Sequence, residues 1–278
     1  MLYRPLFRKR RFPVSEILSS AAIAAHLGST ADAWQTEVLL ETDSTNTRLK
    51  ERAKAGAPQR LLLVADKQTC GRGRLGRSFL SPAGSGIYMS LLVRPNIPME
   101  RCTDLTVAAA VCVARAVEQT CGLKAEIKWV NDLYAGGKKF CGILTEGSAK
   151  PDGYADYVVV GIGLNVGKLD CGSDHELAAI VTSLEEQGCT VSRTRLIAAI
   201  LAEFERYYCH MQANQPDVLD EYRRRMFLIG KNVSLSTDPQ KLPYTVLGVD
   251  DHAGLVVQGP DGKQLTLQSG EVSIRPNN

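Results

Sequence analysis

The chain has 278 residues, of which 44% are hydrophobic and 23% are charged, and its formal net charge is +3. These values exclude a disordered or fibrous protein. No stretch approaches the ~20 apolar residues that a membrane helix needs. The basic residues of segment 1–12 account for the positive sign and leave the rest slightly acidic. This distribution argues against a protein coated for nucleic-acid binding.

Eight cysteines are scattered along the chain, and no two of them form a CxxC pair. With no secretory signal at the start, this usage predicts reduced thiols and a cytoplasmic protein. The four histidines lie far apart and form no zinc motif, so no structural metal is predicted. A Mg²⁺ ion that arrives with a nucleotide stays open.

The first two thirds of the chain alternate helical and strand patterns, which predicts an α/β domain. Polar caps, glycine stops and apolar periodicity predict helices at 15–27, 46–55, 103–120, 175–187, 194–211 and 218–225. Apolar runs predict strands at 37–40, 61–65, 87–93, 125–129, 133–134, 139–145 and 157–161.

The pattern changes after Gly230. Five short strands are predicted at 232–236, 244–249, 255–258, 264–267 and 271–274. Strands this short, separated by turn dipeptides such as Asp261-Gly262, predict a small β-barrel or sandwich. The expected organisation is an N-terminal extension at 1–35 with one short helix, a main domain at 36–229 and a β domain at 230–278.

The most informative segment is the loop after the strand at 61–65. Lys67, Arg72, Arg74 and Arg77 place four cations in eleven residues. The glycines between them (Gly71, Gly73 and Gly76) let backbone amides close on a ligand. Such a loop suits a carboxylate or phosphate, but it is neither a Walker loop nor a dinucleotide fingerprint. A solvated basic loop and an RG-rich nucleic-acid segment are the alternatives.

Three further clusters have a simple structural interpretation beside a functional one. Asn131 and Asp132 follow a strand, where α/β sites tend to lie, but they are also common turn formers. Lys139 begins a strand that contains Gly142, and glycine in a strand often marks close approach of a ligand. Segment 161–165, with Gly161, Gly163 and Asn165, leaves room for a flat ligand beside an apolar strand.

In order, these segments resemble the motifs of the biotin protein ligases over about residues 36–276. The matching pieces are Asp43-Ser44-Thr45-Asn46, Gln68, Gly71-Arg72-Gly73-Arg74-Leu75-Gly76-Arg77, Ser81-Pro82, Lys128-Trp129-x-Asn131-Asp132, Lys139-x-x-Gly142-Ile143-Leu144, Gly161-x-Gly163-x-Asn165 and Gly270-Glu271-Val272-Ser273-Ile274-Arg275. One departure is Val130, where the family usually has proline. Valine can adopt an extended conformation too, so we expect activity to be retained.

The resemblance implies an α/β fold with a mixed β-sheet, like that of class II aminoacyl-tRNA synthetases, and a small C-terminal SH3-like β-barrel. It also implies a two-step reaction. Biotin reacts with ATP, and with Mg²⁺ bound to the nucleotide, to give biotinyl-5′-AMP and pyrophosphate. A lysine of a biotin carboxyl carrier protein domain then takes the biotin.

The resemblance also implies roles for individual residues. The expected catalytic residues are Arg74, Lys139 and Asp132. The expected biotin-binding residues are Ser44, Thr45, Asn46, Gln68, Gly71, Arg72, Gly73, Arg74, Trp129, Lys139, Gly142 and Gly161. The expected ATP-binding residues are Arg72, Arg74, Arg77, Phe79, Asn131, Asn165, Glu271 and Arg275. The chemistry agrees, because cations must bridge two anions in the transition state and a ureido group needs both donors and acceptors.

Three other functions stay open. A lipoate protein ligase shares the fold and the adenylation chemistry, although the loop and the segment 128–132 match the biotin group better. A biotin-responsive repressor needs about three helices and a wing before the catalytic part. The extension at 1–35 is predicted to have only one short helix, so no specific DNA binding is expected. A non-catalytic biotin-binding module would bind biotin without forming AMP. Homodimerisation by edge-strand pairing is a further open alternative.

Overall fold

The computed structural model describes residues 17–211, 216–268 and 272–274. The helices are α1 (Ser20–Leu27), α2 (Thr45–Lys54), α3 (Thr103–Cys121), α4 (His175–Ile180), α5 (Arg193–His210) and α6 (Pro216–Arg225). The strands of the main domain are β1 (Gln35–Thr42), β2 (Leu61–Gln68), β3 (Gly86–Val93), β4 (Glu126–Lys128), β5 (Asp132–Ala135), β6 (Lys138–Ala149) and β7 (Ala155–Asn165). Those that follow are β8 (Asn232–Leu235), β9 (Tyr244–Val249), β10 (Leu255–Gln258), β11 (Gln264–Leu267) and β12 (Val272–Ile274).

The first seven strands form one mixed sheet in the order β1-β2-β3-β7-β6-β5-β4. Strands β1 and β2 are parallel, and the other neighbours are antiparallel. Alternate residues of a strand face opposite sides, and β2 shows this clearly. Leu62 and Val64 join the main core with α3 and α5, whereas Leu61 and Leu63 join a smaller core under α2. The sheet is therefore covered on both faces, and the mixed α/β fold is confirmed.

The second sheet is antiparallel and has five strands in the order β11-β10-β9-β8-β12. Its apolar residues join the main core, and two side chains of the main domain form hydrogen bonds to it. The Trp129 indole Nε1 donates to the Ala253 carbonyl (2.8 Å), and Arg223 Nε donates to the Val249 carbonyl (3.0 Å). This small C-terminal β domain is the expected one, while the exact boundaries between domains stay a prediction.

The helix predicted at 175–187 is wrong beyond Ile180. Val181 is extended and forms a bridge with Lys139, and the Thr182 amide donates to the Lys139 carbonyl (2.8 Å). This pairing with β6 overrides the helical spacing of the apolar residues. The strand predicted at 157–161 is longer than expected, because β7 continues through Asn165. In the described part of the chain, no helix is long and apolar enough to cross a bilayer.

Candidate active site

A cleft opens on the face of the main sheet where α2 begins. Its wall is made by the N-terminus of α2, the end of β2, the loop after β2, the start of β5, and parts of β3, β6 and β7. The lining residues are Ser44, Thr45, Asn46, Gln68, Arg72, Gly73, Arg74, Arg77, Ser78, Phe79, Met89, Asn131, Asp132, Lys139, Gly142, Ile143, Leu144, Gly161, Ile162 and Gly163. Residues as far apart in the sequence as Ser44 and Gly163 line the same cleft, because antiparallel β3, β7 and β6 are neighbours.

One end of the cleft is uncharged and hydrogen-bonding. Ser44 caps α2, because its Oγ accepts from the Thr47 amide. The amide and hydroxyl of Thr45 both donate to Gln68 Oε1 (2.9 and 3.1 Å), and Gln68 Nε2 donates to Ser81 Oγ (3.0 Å). These bonds fix the side chain of Gln68 against the helix start. Hydroxyl and carboxamide groups together offer donors and acceptors to a neutral polar ligand.

The glycines of the cleft make room for side chains of the protein itself. A Cβ at Gly161 would overlap the Asn46 carboxamide, and a Cβ at Gly163 would lie 2.6 Å from the Phe79 ring. A Cβ at Gly142 would lie 3.1 Å from Lys139 Nζ. The sequence predicts that these glycines leave room for a flat ligand. In the structure, the space beside them is occupied by side chains that line the cleft.

The arginine loop folds back on itself at the other end. The Gly73 amide donates to the Arg77 carbonyl (2.7 Å), and Leu75 between them adopts a left-handed conformation (φ 53°). Arg72 Nη2 lies 3.1 Å from Glu146 Oε1, and Arg74 Nη1 donates to Asn131 Oδ1 (2.9 Å). The loop therefore presents three arginines to the cleft from a closed turn.

Lys67, the fourth cation of the loop, takes no part in the cleft. Its Nζ pairs with Glu41 Oε2 at 2.8 Å on the exposed side of β1 and β2. Lys67 lies within strand β2, whose residues alternate in direction, so it points away from the ligand side.

Lys139 and Asp132 form the ion pair of the cleft. Their Nζ and Oδ1 atoms are 2.7 Å apart, and both side chains are mostly buried. Two backbone contacts fix the strand start that carries Lys139: its bridge to Val181 and its carbonyl, which accepts from Thr182. The ion pair keeps the Lys139 ammonium in a fixed position, and a fixed cation stabilises negative charge that develops nearby during a reaction.

Five predicted site residues lie outside the cleft lining or outside the described residues. Gly71 packs behind it, where its carbonyl accepts from the Phe79 amide (2.9 Å). Trp129 is buried against the C-terminal domain, and Asn165 donates to the Thr182 carbonyl (3.0 Å). Glu271 and Arg275 lie outside the described residues. All other predicted site residues line the cleft.

Two residues beside the cleft were missed from the sequence. Ser90 is fully buried, and its hydroxyl lies 2.7 Å from Thr45 Oγ1 and 2.6 Å from Asn46 Oδ1. Glu146 accepts hydrogen bonds from Lys50 and Asn46 and forms an ion pair with Arg72. A serine inside the otherwise apolar run 87–93 was the available signal for the first of them, because a buried hydroxyl needs a partner.

Glu146 stays ionised in this setting. Burial is the largest single influence and by itself would raise the pKa of this carboxyl, while the hydrogen bonds from Lys50 and Asn46 lower it. The positive charges of Lys50 and Arg72 act in the same direction, so the pKa is lowered overall.

The chain is similar to known proteins of one group. A model described as the biotin/lipoate A/B protein ligase family matches residues 39–165. The bifunctional ligase/repressor BirA of Bacillus spizizenii is 38% identical over 221 residues, which cover 79% of this chain and 68% of the relative. The biotin–[acetyl-CoA-carboxylase] ligase of Mycobacterium tuberculosis is 30% identical over 263 residues, which cover 92% of this chain and 95% of the relative.

The solved structures agree with the sequence relatives. A biotin protein ligase from Aquifex aeolicus in complex with biotin and ATP superposes with a TM-score of 0.72 at 28% identity. The match covers 87% of this chain and 99% of that chain. The expected fold is therefore found in this solved relative as well as in the present structure. The chain belongs to the biotin protein ligase family.

Proposed function

We propose that this protein activates biotin with ATP to give biotinyl-5′-AMP and then transfers biotin to a lysine of a biotin carboxyl carrier protein domain. The observation that carries the proposal is the composition of the cleft. A neutral hydrogen-bonding end and a cationic end lie in one continuous wall, and the motifs of the family supply both. The Aquifex aeolicus relative was solved in complex with biotin and ATP, and we extend this binding to the present chain because it belongs to the same family.

The neutral end suits the ureido ring of biotin. Ser44, Thr45 and Gln68 hold hydroxyl and carboxamide groups in fixed positions, and the ureido group has one carbonyl acceptor and two N–H donors. Lipoate has no such group, so this end favours biotin over lipoate. A substrate without the matching polar group would leave buried polar groups of the protein without hydrogen bonds, so such a site selects strongly against that substrate.

The cationic end suits the reacting anions. A carboxylate oxygen of biotin attacks the α-phosphorus of ATP, the bond to the β-phosphate oxygen breaks, and pyrophosphate leaves. Arg72, Arg74 and Lys139 can bridge the carboxylate and the phosphate, which repel each other until they are joined. The planar guanidinium of Arg74 can hold two phosphate oxygens, and Lys139 supplies a compact charge near the carboxylate.

The second step needs a nucleophilic amine. The acceptor lysine attacks the carbonyl carbon of the mixed anhydride, an amide bond forms, AMP leaves and the amine loses a proton. Asp132 is the carboxylate of the cleft lining and serves this amine. Asn131, Asn165, Glu271 and Arg275 are proposed to bind ATP, and Gly71 is proposed to bind biotin. Trp129 is buried against the C-terminal domain, so we propose that it supports the cleft without contacting biotin.

Magnesium belongs to the nucleotide in this proposal. The described residues contain no group of three His, Cys, Asp or Glu side chains that could hold a metal ion by themselves. Asp132 as a single carboxylate, with substrate phosphates as the remaining ligands, fits the way in which Mg²⁺ is bound in nucleotide sites. The ion would neutralise phosphate charge.

All eight cysteines are free thiols, which supports a reducing, cytoplasmic location.

The test is incubation of the full chain with biotin, MgATP and a biotin carboxyl carrier domain, followed by mass measurement of the carrier. We expect the carrier to gain one biotinyl group, with AMP and pyrophosphate released. A parallel reaction with lipoate should leave the carrier unmodified. Biotin binding without AMP would instead show a non-catalytic module, and lipoate-dependent exchange of pyrophosphate would show a lipoate ligase.

A further inference from the structure

Asn46 lies in a socket formed by three neighbouring strands. Ser90 of β3 is the register partner of Gly161 of β7, and Gly161 is the register partner of Leu144 of β6. The Asn46 carboxamide lies across this row. It contacts the Ser90 hydroxyl, the bare backbone of Gly161 and the Leu144 carbonyl. One side chain of α2 is thus fixed to all three strands of the cleft floor.

The hydrogen-bonding capacity of the Asn46 amide nitrogen is fully used inside the protein. Asn46 Nδ2 donates to the Leu144 carbonyl (3.1 Å) and to Glu146 Oε2 (3.0 Å). A carboxamide has two N–H groups, so none is left for a ligand. Oδ1 can only accept, and the Ser90 hydroxyl at 2.6 Å supplies its proton. These partners also fix the orientation of the amide, because both acceptors lie on the nitrogen side.

The same bonds connect the two ends of the cleft. At the neutral end, the Ser90 hydroxyl also lies 2.7 Å from Thr45 Oγ1, which contacts Gln68. At the cationic end, Glu146 accepts from Asn46 through Oε2 and pairs with Arg72 through Oε1 (3.1 Å). Neither Ser90 nor Glu146 lines the cleft. Both reach it only through residues that do.

We propose that Ser90 and Glu146 are positioning residues for biotin, and that Asn46 is the residue through which they act rather than a ligand of biotin itself. This inference rests on the proposed function. Ser90 holds Asn46 and Thr45 in register with the sheet, and Glu146 holds Asn46 and Arg72. Disturbing either residue changes how the cleft presents Thr45 and Arg72 and leaves the reacting groups, Arg74 and Lys139, in place.

The experiment compares Ser90→Ala, Glu146→Gln, Asn46→Ala and the double variant S90A/N46A in biotin-dependent pyrophosphate exchange. Loss of one buried hydrogen bond changes affinity by about three- to tenfold. We expect Ser90→Ala and Asn46→Ala to raise the KM for biotin by about this factor, with kcat and the KM for ATP nearly unchanged. Glu146→Gln should raise the KM for biotin and also the KM for ATP, because it weakens the ion pair with Arg72 as well. If Ser90 acts through Asn46, the double variant should have the KM of Asn46→Ala alone.

Thr106→Val is the matched control. The Thr106 hydroxyl is also buried and donates to Thr145 Oγ1 (2.7 Å), and Thr145 lies on the opposite face of β6 from Glu146. This variant should lose stability in thermal unfolding but keep the KM for biotin. A KM shift as large as that of Ser90→Ala would show a general packing effect and overturn the proposal.

The other outcomes are also decisive. If the increase of the KM for biotin in S90A/N46A equals the product of the increases in the two single variants, Ser90 acts independently of Asn46. A raised KM in Asn46→Ala with an unchanged KM in Ser90→Ala would show that Asn46 binds biotin directly. No exchange in the wild type would instead contradict the proposed function and is therefore distinguishable from failure of this inference.

Discussion

Replacing Gly161 by alanine tests whether the socket of Asn46 is as tight as its contacts indicate. An ideal Cβ at Gly161 would overlap Asn46 Oδ1 and would lie 2.8 Å from Asn46 Cγ and 3.0 Å from Asn46 Nδ2. Real Cβ atoms do not approach other atoms this closely, so the carboxamide must move. It cannot move freely, because hydrogen bonds to Ser90, Leu144 and Glu146 hold it.

The magnitude follows from those bonds. Three hydrogen bonds at about 1 kcal/mol each would be weakened. Overpacking of a filled site costs about 1–3 kcal/mol, and the two estimates describe the same displacement and are not added. We expect Gly161→Ala to lower the free energy of unfolding by about 2–3 kcal/mol. We also expect a rise of the KM for biotin, since Thr45 moves with Asn46.

The assay is urea unfolding of the two proteins, combined with biotin titration of pyrophosphate exchange. Gly248→Ala is the control, because a Cβ at Gly248 of β9 meets nothing within 4 Å and its φ is not positive. Its stability should stay within about 0.5 kcal/mol of the wild type. If Gly161→Ala matched this control in both measurements, the carboxamide would not be held as described.

Three other changes have distinct expected results. Lys139→Ala should lower kcat of biotin-dependent pyrophosphate exchange by about 10²–10³-fold, because a fixed cation at the reacting oxygens is lost; an unchanged kcat would contradict its role. The folded-state pKa of Glu146 lies below the ordinary value of 4.5. The wild type should therefore be more stable than Glu146→Gln by a constant amount above pH 4.5. In acid unfolding curves, this difference should shrink as the pH falls through the folded-state pKa. Trp129→Phe should lower the free energy of unfolding by about 1 kcal/mol through loss of the bond to Ala253, with an unchanged KM for biotin; a raised KM would place the indole at the ligand.

The sequence was sufficient for elements whose pattern is local. The helix that became α3 ends one residue beyond the predicted position, and the strands after Gly230 match closely. The arginine loop and Lys139 were found from charge and glycine spacing, and the structure brings them to one cleft. Local spacing and motif order therefore carried most of the fold and most of the candidate site.

Features that depend on tertiary partners were not predictable. Val181 continues an apolar helical spacing, but pairing with β6 makes it extended. Trp129 belongs to a family motif, yet its indole reaches the carbonyl of Ala253, which lies 124 positions away. Ser90 gave only the weak signal of one hydroxyl in an apolar strand, and its partners on α2 are visible only after folding.

The spacing of the socket contacts along the chain has a consequence for folding kinetics. Thr45 and Gln68 are 23 residues apart, whereas Asn46 and Glu146 are 100 residues apart. Contacts between residues close in the sequence lose little chain entropy when they form. Contacts between distant residues form only after β3, β7 and β6 have assembled. We therefore expect Asn46→Ala to have a φ-value near zero in stopped-flow measurements and to speed unfolding rather than slow folding. In that case the cationic and neutral ends of the cleft would join only after the rate-limiting step of folding.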